Sequence, residues 1–347
     1  MAKTITFKPK QVVKKLLTVI PERARSVIEG RFGLSDGKKM TLEAIGKKYS
    51  ITRERVRQIE NAALELIRKS EVFKQSQEAF NELKDVVVSL GGVVSEEGLL
   101  KHISQDQATK NHINFLLVLG DLFEKHKEDE HFMDRWVVDK DIAEKVHQSL
   151  KKLYENLSDD DLISEGEMIA SFLEHLKDIS EQYKNEEIIK RWLSLSKKIK
   201  RNLLGEWGVT TSPNVSARGV RDYAFLVLRK QGTPMHFTDV AKTISDVFGK
   251  RAHIATTHNE LIKDKRFVLV GRGLYALSKW GYEGGVVRDV IGKILKKEGP
   301  LTKKEIVDRV LKERQVKENT IVVNLQNSDY FARDEKGKYR VAAQVKT

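Results

Sequence analysis

The sequence predicts a mainly α-helical protein: an N-terminal helix-turn-helix domain followed by tandem winged-helix domains that mix helices with short strands. Three observations predict it. Residues 41–69, TLEAIGKKYSITRERVRQIENAALELIRK, hold two capped amphipathic helices joined by a tight turn. Three of the four tryptophans, Trp136, Trp207 and Trp280, recur 71 and 73 residues apart. The formal charge of +13 is segregated, with +10 on residues 1–70, −13 on 71–190 and +16 on 191–347.

The 347 residues exceed one ordinary hydrophobic core, so several domains are expected. The absence of cysteine excludes disulfides, thiolate catalysis, iron–sulfur clusters and cysteine-ligated zinc fingers. No apolar run approaches the roughly 18 residues of a membrane span, and the start, MAKTITFKPK, lacks a signal-peptide core. The expectation is a soluble protein of the cytoplasm, associated with the nucleoid and not with a membrane. Basic ends around an acidic middle read as two modules that face a polyanion, separated by a segment that phosphate repels.

In the first helix of the 41–69 stretch, Thr41 is the N-cap, with apolar Leu42, Ala44 and Ile45 behind it. Gly46 removes a side chain where two helices must approach closely. Ser50 falls at the tight turn, and Thr52 caps a second helix whose apolar stripe is Val56, Ile59, Ala63 and Ile67. That second helix opens with Arg53, Glu54, Arg55, Arg57 and Gln58, away from the stripe. These side-chain types read base edges: Arg pairs with guanine, Glu with cytosine and Gln with adenine. A merely solvated charged face is the competing reading. The candidate DNA-contacting set is Thr41, Thr52, Arg53, Glu54, Arg55, Arg57 and Gln58.

The stretch TLEAIGKKYSITRERVRQIENAAL resembles region 4.2 of the sigma-70 family of transcription factors, with the TRERxRQIE signature at 52–60. The preceding IPERARSVIEGRFGLSDGKKM (20–40) resembles region 4.1, including RFGL at 31–34 and the Asp36-Gly37 turn. The resemblance covers about residues 10–70. It implies that Arg53, Glu54 and Gln58 face bases of a −35 promoter element and that Arg55 and Arg57 lie near the backbone. It also implies that region 4.1 touches the β-subunit flap of core RNA polymerase. Sigma factors read the −10 element and melt DNA with a larger, aromatic-rich upstream domain. Only about ten residues precede the match here, and nothing downstream resembles that domain. A factor that leaves melting to another protein is therefore expected.

The remainder is a repeat. VRDYAFLVLRKQGTPMHFTDVAKTI (220–244) parallels VRDVIGKILKKEGPLTKKEIVDRV (287–310) at a spacing of 67, and Phe267, Gly273 and Tyr275 each stand 64 before Phe331, Gly337 and Tyr339. Fainter units carry SLGGVVSEEGLLKHI (89–103) and DDLISEGEMIASFL (160–173). Each reads helix, turn, helix, helix, then two strands around a glycine turn. In the best unit Thr238 caps the second helix, Thr256 and Thr257 open the third, and Lys265–Val270 and Leu274–Leu277 form a hairpin through Gly271-Arg272-Gly273. The tryptophans and Phe267 are expected in cores. The expected domains are 1–70, 71–140 (acidic), 141–215, 216–285 and 286–347.

Residues 219–281 resemble the HARE-HTH domain, a winged-helix module of the δ subunit of RNA polymerase, of chromatin factors and of restriction systems. GTPMHFTDVAKTI, THNELIKDKRFVLVGRGLYAL and Lys279-Trp280 carry the likeness. The resemblance implies contact with DNA or polymerase, for which Asn259 and Lys263 on the third helix and Arg266 and Arg272 at the wing are candidates. Simple solvation competes for each of the four. His253 and His258, lacking a nearby carboxylate pair, read as surface or helix-packing residues and not as metal ligands.

No phosphate loop, nucleophile elbow or zinc-hydrolase motif occurs, and Asp159–Asp161 read as helix caps or loop solvation. No catalysis, cofactor or metal is expected. The expected function is promoter-directed DNA binding with RNA polymerase. An accessory polymerase subunit resembling δ, or the recognition subunit of a restriction or defence system, are the alternatives. Oligomeric state and target site are open.

Overall fold

The computed structural model describes residues 3–176, 180–282, 286–314 and 316–342. The protein is mainly helical, with 17 α-helices and 10 short strands among the described residues. Two compact units form, Met1–Arg201 with Glu206–Thr211, and Asn202–Gly205 with Ser212–Thr347. No helix among the described residues is long and apolar enough to cross a membrane.

The first unit begins with α1 (Pro9–Leu17), α2 (Glu22–Phe32), α3 (Leu42–Tyr49) and α4 (Arg53–Arg68). Pro9 sits at the first helical position, where its missing N–H costs nothing. Gly33 ends α2 in the left-handed conformation at φ 65°, and a Cβ there would lie 2.8 Å from Asn111 Nδ2. Next come α5 (Glu71–Gln75), α6 (Gln77–Ser89), β1 (Val93–Ser95), α7 (Glu96–Ile103), α8 (Gln107–Leu119), β2 (Glu124–His126) and β3 (Arg135–Val137). The strands form one antiparallel sheet in the order β1-β3-β2.

The core does not stop at residue 70. Val13, Leu16, Leu17, Ile28, Phe32 and Ile67 of the first four helices share one buried cluster with Phe80, Leu83, Phe115, Leu116 and Trp136. Polar contacts staple the same seam. Asn111 Nδ2 donates to the carbonyls of Gly33 and Gly37, both at 3.0 Å, and Arg68 Nε and Nη2 donate to Leu119 O and Val118 O at 2.9 Å. The N-terminal helices and the acidic segment after them are therefore one packed body, whereas composition and charge suggested two.

A similar order follows in α9 (Lys140–Glu155), α10 (Glu165–His175), α11 (Glu186–Leu193), β4 (Ile199–Arg201) and β5 (Trp207–Val209). Ile163 bridges Trp207, so a single residue takes the place of the first strand. Trp192 is fully buried and donates Nε1 to Gly91 O at 3.2 Å.

The second unit holds α12 (Val220–Gln231), β6 (Met235–His236), α13 (Phe237–Phe248), α14 (Ile254–Lys263), β7 (Phe267–Gly271) and β8 (Leu274–Leu277). It continues with α15 (Val287–Glu298), α16 (Lys303–Glu313), α17 (Glu318–Leu325), β9 (Phe331–Arg333) and β10 (Tyr339–Val341). The repeat read from sequence reappears in the strand register. Phe267 faces Leu277 and Leu269 faces Tyr275; 64 residues later Phe331 faces Val341 and Arg333 faces Tyr339. Met235 pairs with Tyr275 as Leu301 bridges Tyr339.

Several local expectations need correction. His236, not Thr238, is the N-cap of α13, and its Nδ1 accepts the Thr238 N–H. Helix α14 starts at Ile254; Thr257 lies inside it, fully buried, with Oγ1 donating to His253 O at 3.0 Å. Strand β7 runs to Gly271, which pairs with Leu274, so the turn is Arg272-Gly273 alone. Trp136 and Trp207 are buried on closing strands, but Trp280 follows β8 in a short 3-10 turn and is only half-buried. Tyr275 fills the strand position in that unit. The expected boundary at 285/286 falls at 283–285, outside the described residues.

Candidate nucleic-acid interface

The α3–turn–α4 unit is fixed by backbone geometry and by two caps. Thr41 Oγ1 accepts the Ala44 N–H and Thr52 Oγ1 accepts the Arg55 N–H, each at 3.1 Å, which satisfies donors the helices leave open. Between them Ser50 adopts the left-handed conformation at φ 53°, ψ 44°, the only non-glycine residue with positive φ among those described. The turn closes when the Ile51 N–H donates to Gly46 O at 2.9 Å. A Cβ on Gly46 would lie 2.6 Å from Ile51 O, so the close approach is to the turn backbone more than to the neighbouring helix. Beneath the turn, Val27, Ile45 and Val56 form a small buried cluster.

That frame leaves one edge of α4 open. Arg53, Glu54, Arg55, Arg57 and Gln58 are all exposed, as are Thr41 and Thr52. The two threonine hydroxyls are already used as cap acceptors. Arg57 donates Nε and Nη2 to the two Glu54 carboxylate oxygens at 2.9 and 2.7 Å, and Arg55 donates Nη1 to Gln58 Oε1 at 3.1 Å. The hydrogen bonds from Arg57 hold the Glu54 carboxyl below its ordinary range and raise the Arg57 guanidinium in return. Such exposed pairs are weak in water, so both can open at little cost. At the back of α4, Glu60 lies 3.6 Å from Arg31 Nε, and burial pushes its carboxyl up.

The second unit separates its four candidates. Asn259 and Lys263 lie exposed on α14, and Arg272 is exposed at the hairpin turn. Arg266 is not available as a wing contact. Its Nη2 pairs with Asp222 at 2.9 Å and Asp264 at 2.6 Å, and Nη1 donates to Asn214 Oδ1 at 2.8 Å. The guanidinium carbon also lies 5.4 and 5.8 Å from the ring centroids of Phe225 and Phe267. It is an internal clamp. The sequence signal for this was the recurring Val-Arg-Asp at 220–222 and 287–289, whose aspartate caps its own helix. His258 stacks on Phe237 with ring centroids 4.2 Å apart, a packing role. Asp159 accepts from Thr211 Oγ1, 52 residues on, and Asp161 from the Ser158 N–H within its own turn. Among the described residues no group of three or more His, Asp or Glu is placed to hold a metal.

Sequence reading missed the role of α8. It holds the place in its repeat that α14 holds in the third, yet Asn111, His112, Asn114 and Phe115 are buried, and the helix packs against α1 and α2. The run NHINFLLVL, apolar on nearly every side, signals burial without naming what covers it.

Residues 16–69 match the family model of sigma-70, region 4. Over 59 residues the chain is 46% identical to the RNA polymerase sigma factor SigA of Clostridium acetobutylicum, and equally to that of a Bacillus species. The alignment takes in 17% of this chain and 16% of each of those proteins, so the chain spans about a sixth of the length of these curated relatives. A sigma-70 region 4 helix-turn-helix domain at residues 16–69 is thus shown by the family model.

Proposed function

We propose that the protein is a sequence-specific DNA-binding factor that acts with bacterial RNA polymerase at promoters, with the region 4 domain as its reader of a −35-like element. The observation that carries this reading is the exposed set Arg53, Glu54, Arg55, Arg57 and Gln58 at the start of α4, held by the Thr52 cap and the Ser50 turn. Double-stranded DNA and the polymerase core are its partners. The repeated helix–strand–helix–helix–hairpin units after residue 70 are read as winged helices, and residues 216–285 as a HARE-HTH domain. Asn259, Lys263 and Arg272 remain the contact candidates there. No catalytic step, cofactor or metal is assigned, and the protein works in the cytoplasm on the nucleoid.

The melting step is left to a primary sigma factor. Capture of unpaired bases calls for exposed aromatic rings in a positive groove, whereas Phe80, Phe115, Trp136, Phe172 and Trp192 are all fully buried here. The polymerase flap is not gripped by the apolar side of α1 and α2, which α8 already covers. Core contact then uses polar surface. Reconstituted transcription tests the reading on a promoter carrying the site found by mapping bound DNA across the genome. Core polymerase with this protein alone should give no specific transcript, and adding a primary sigma factor should give an output that the protein changes. Specific initiation without the second factor would sink the assignment.

A further inference from the structure

A cavity of 580 Å³ lies within the first unit, at the seam between the DNA-reading helices and the acidic repeat that carries them. Arg31, Lys39, Asn114, Lys125 and Lys127 bring donors to it from both sides of the seam. Asn114 is only 5% exposed, and its Nδ2 has no hydrogen-bond partner among the described residues. Buried Arg31 Nε likewise lacks a hydrogen bond, with Glu60 at 3.6 Å beyond bonding reach. Lys39 Nζ donates to Asn114 Oδ1 at 3.5 Å.

On the same wall Glu60 stands 3.6 Å from Arg31 Nε, and the other three carboxylates are engaged. Glu96 accepts from Lys125 and from Trp136 Nε1, Glu128 pairs with Lys197, and Asp134 accepts the Glu128 N–H. Two buried N–H groups that line the cavity, Asn114 Nδ2 and Arg31 Nε, thus stand without a hydrogen bond among the described residues. A buried N–H without a partner is costly, so the missing component is one that brings oxygens.

We propose that this cavity binds a compact oxyanion of the phosphate type, held by Asn114 Nδ2, Arg31 Nε and the Lys39 ammonium. The site is separate from the α4 edge, and its chemistry does not depend on the promoter reading. Burial pulls the Lys39 ammonium below the ordinary lysine value, with Lys125 and Arg31 acting in the same direction and Glu96 against them. An anion there offsets that loss. Because the ligand touches both α2 and α8, it ties the reading helices to their support.

The test is thermal melting of the full-length protein, followed by tryptophan fluorescence, with inorganic phosphate, AMP or sodium chloride at matched ionic strength. Phosphate or AMP should raise the melting temperature saturably, by roughly 3–6 °C at tenfold above the dissociation constant. Chloride should not. Lys39→Gln, which removes the charge and keeps a polar side chain, should weaken the apparent affinity about tenfold, and Asn114→Leu should do the same if it folds. Lys152→Gln, an exposed lysine elsewhere in the first unit, is the neutral control. A stronger response to phosphate identifies a free ion, and a stronger response to AMP identifies a phosphomonoester; either supports the site. No saturable shift with either ligand, or a shift unchanged by Lys39→Gln, overturns it.

Discussion

Arg266 and Glu54 are charged residues of opposite fate. Arg266 has three protein acceptors, two of them carboxylates, and Asp222 beneath it is nearly sealed from water. Arg266→Met should therefore destabilise the second unit by about 2–4 kcal/mol in chemical denaturation, because it strands a buried carboxylate. Lys263→Gln and Arg272→Gln should change stability little. Glu54 is free to swap partners, so Glu54→Ala should leave folding intact and relax the choice at one base position roughly tenfold in a binding-site selection. An unchanged site logo would refute its base-reading role. His147 gives a pH handle. Arg135 Nε donates to its Nε2 at 2.8 Å, and burial, then the Arg135 charge, presses its pKa down to about 4. His126 and Lys151 act in the same direction, and Asp129 opposes them. The unfolded chain takes up the proton near pH 6.5, and the native one only near 4. Stability is therefore lost as pH falls between those values, by about 1–3 kcal/mol. His147→Gln should flatten that slope in denaturation series across pH 4–7.

Among the elements, the α3–α4 turn leaves no room for a side chain at Gly46. Gly46→Ala places a methyl against Ile51 O, which cannot move without opening the turn. Expected losses are about 1–3 kcal/mol in melting and a larger fall in DNA binding than any exposed α4 substitution gives. This element was legible from sequence because caps, glycine and stripe follow local rules: Thr41, Gly46, Thr52 and Val56 stand where those rules put them. The α12/α15 repeat was legible for a similar reason, since its Val-Arg-Asp start and glycine end recur at one spacing. What sequence hid was partnership. A positive charge in a turn reads the same whether it faces water, as Arg272 does, or two aspartates, as Arg266 does. The His236 cap was hidden by the better-known capping residue two places on. Burial of α8 was readable, but its packing against α1 and α2 depends on contacts between residues about a hundred positions apart.

At the scale of the whole molecule, DNA affinity should fall steeply with salt, since phosphate neutralisation releases counterions. Arg55→Gln or Arg57→Gln should each lower the slope of log affinity against log salt by about one, evenly across sequences. A slope unchanged by either substitution would place both residues away from phosphate. The shared cluster from Val13 to Trp136 also governs how the protein is made. The N-terminal helices are synthesised first, but the apolar side of α1 stays open until α8, ending at Leu119, has left the ribosome. At roughly 5–20 residues per second, the interval after Arg68 lasts about 3–10 s. For that time the nascent chain offers Val13, Leu16 and Phe32 to whatever chaperone waits at the tunnel exit, and the reader of DNA is finished only together with the support that carries it.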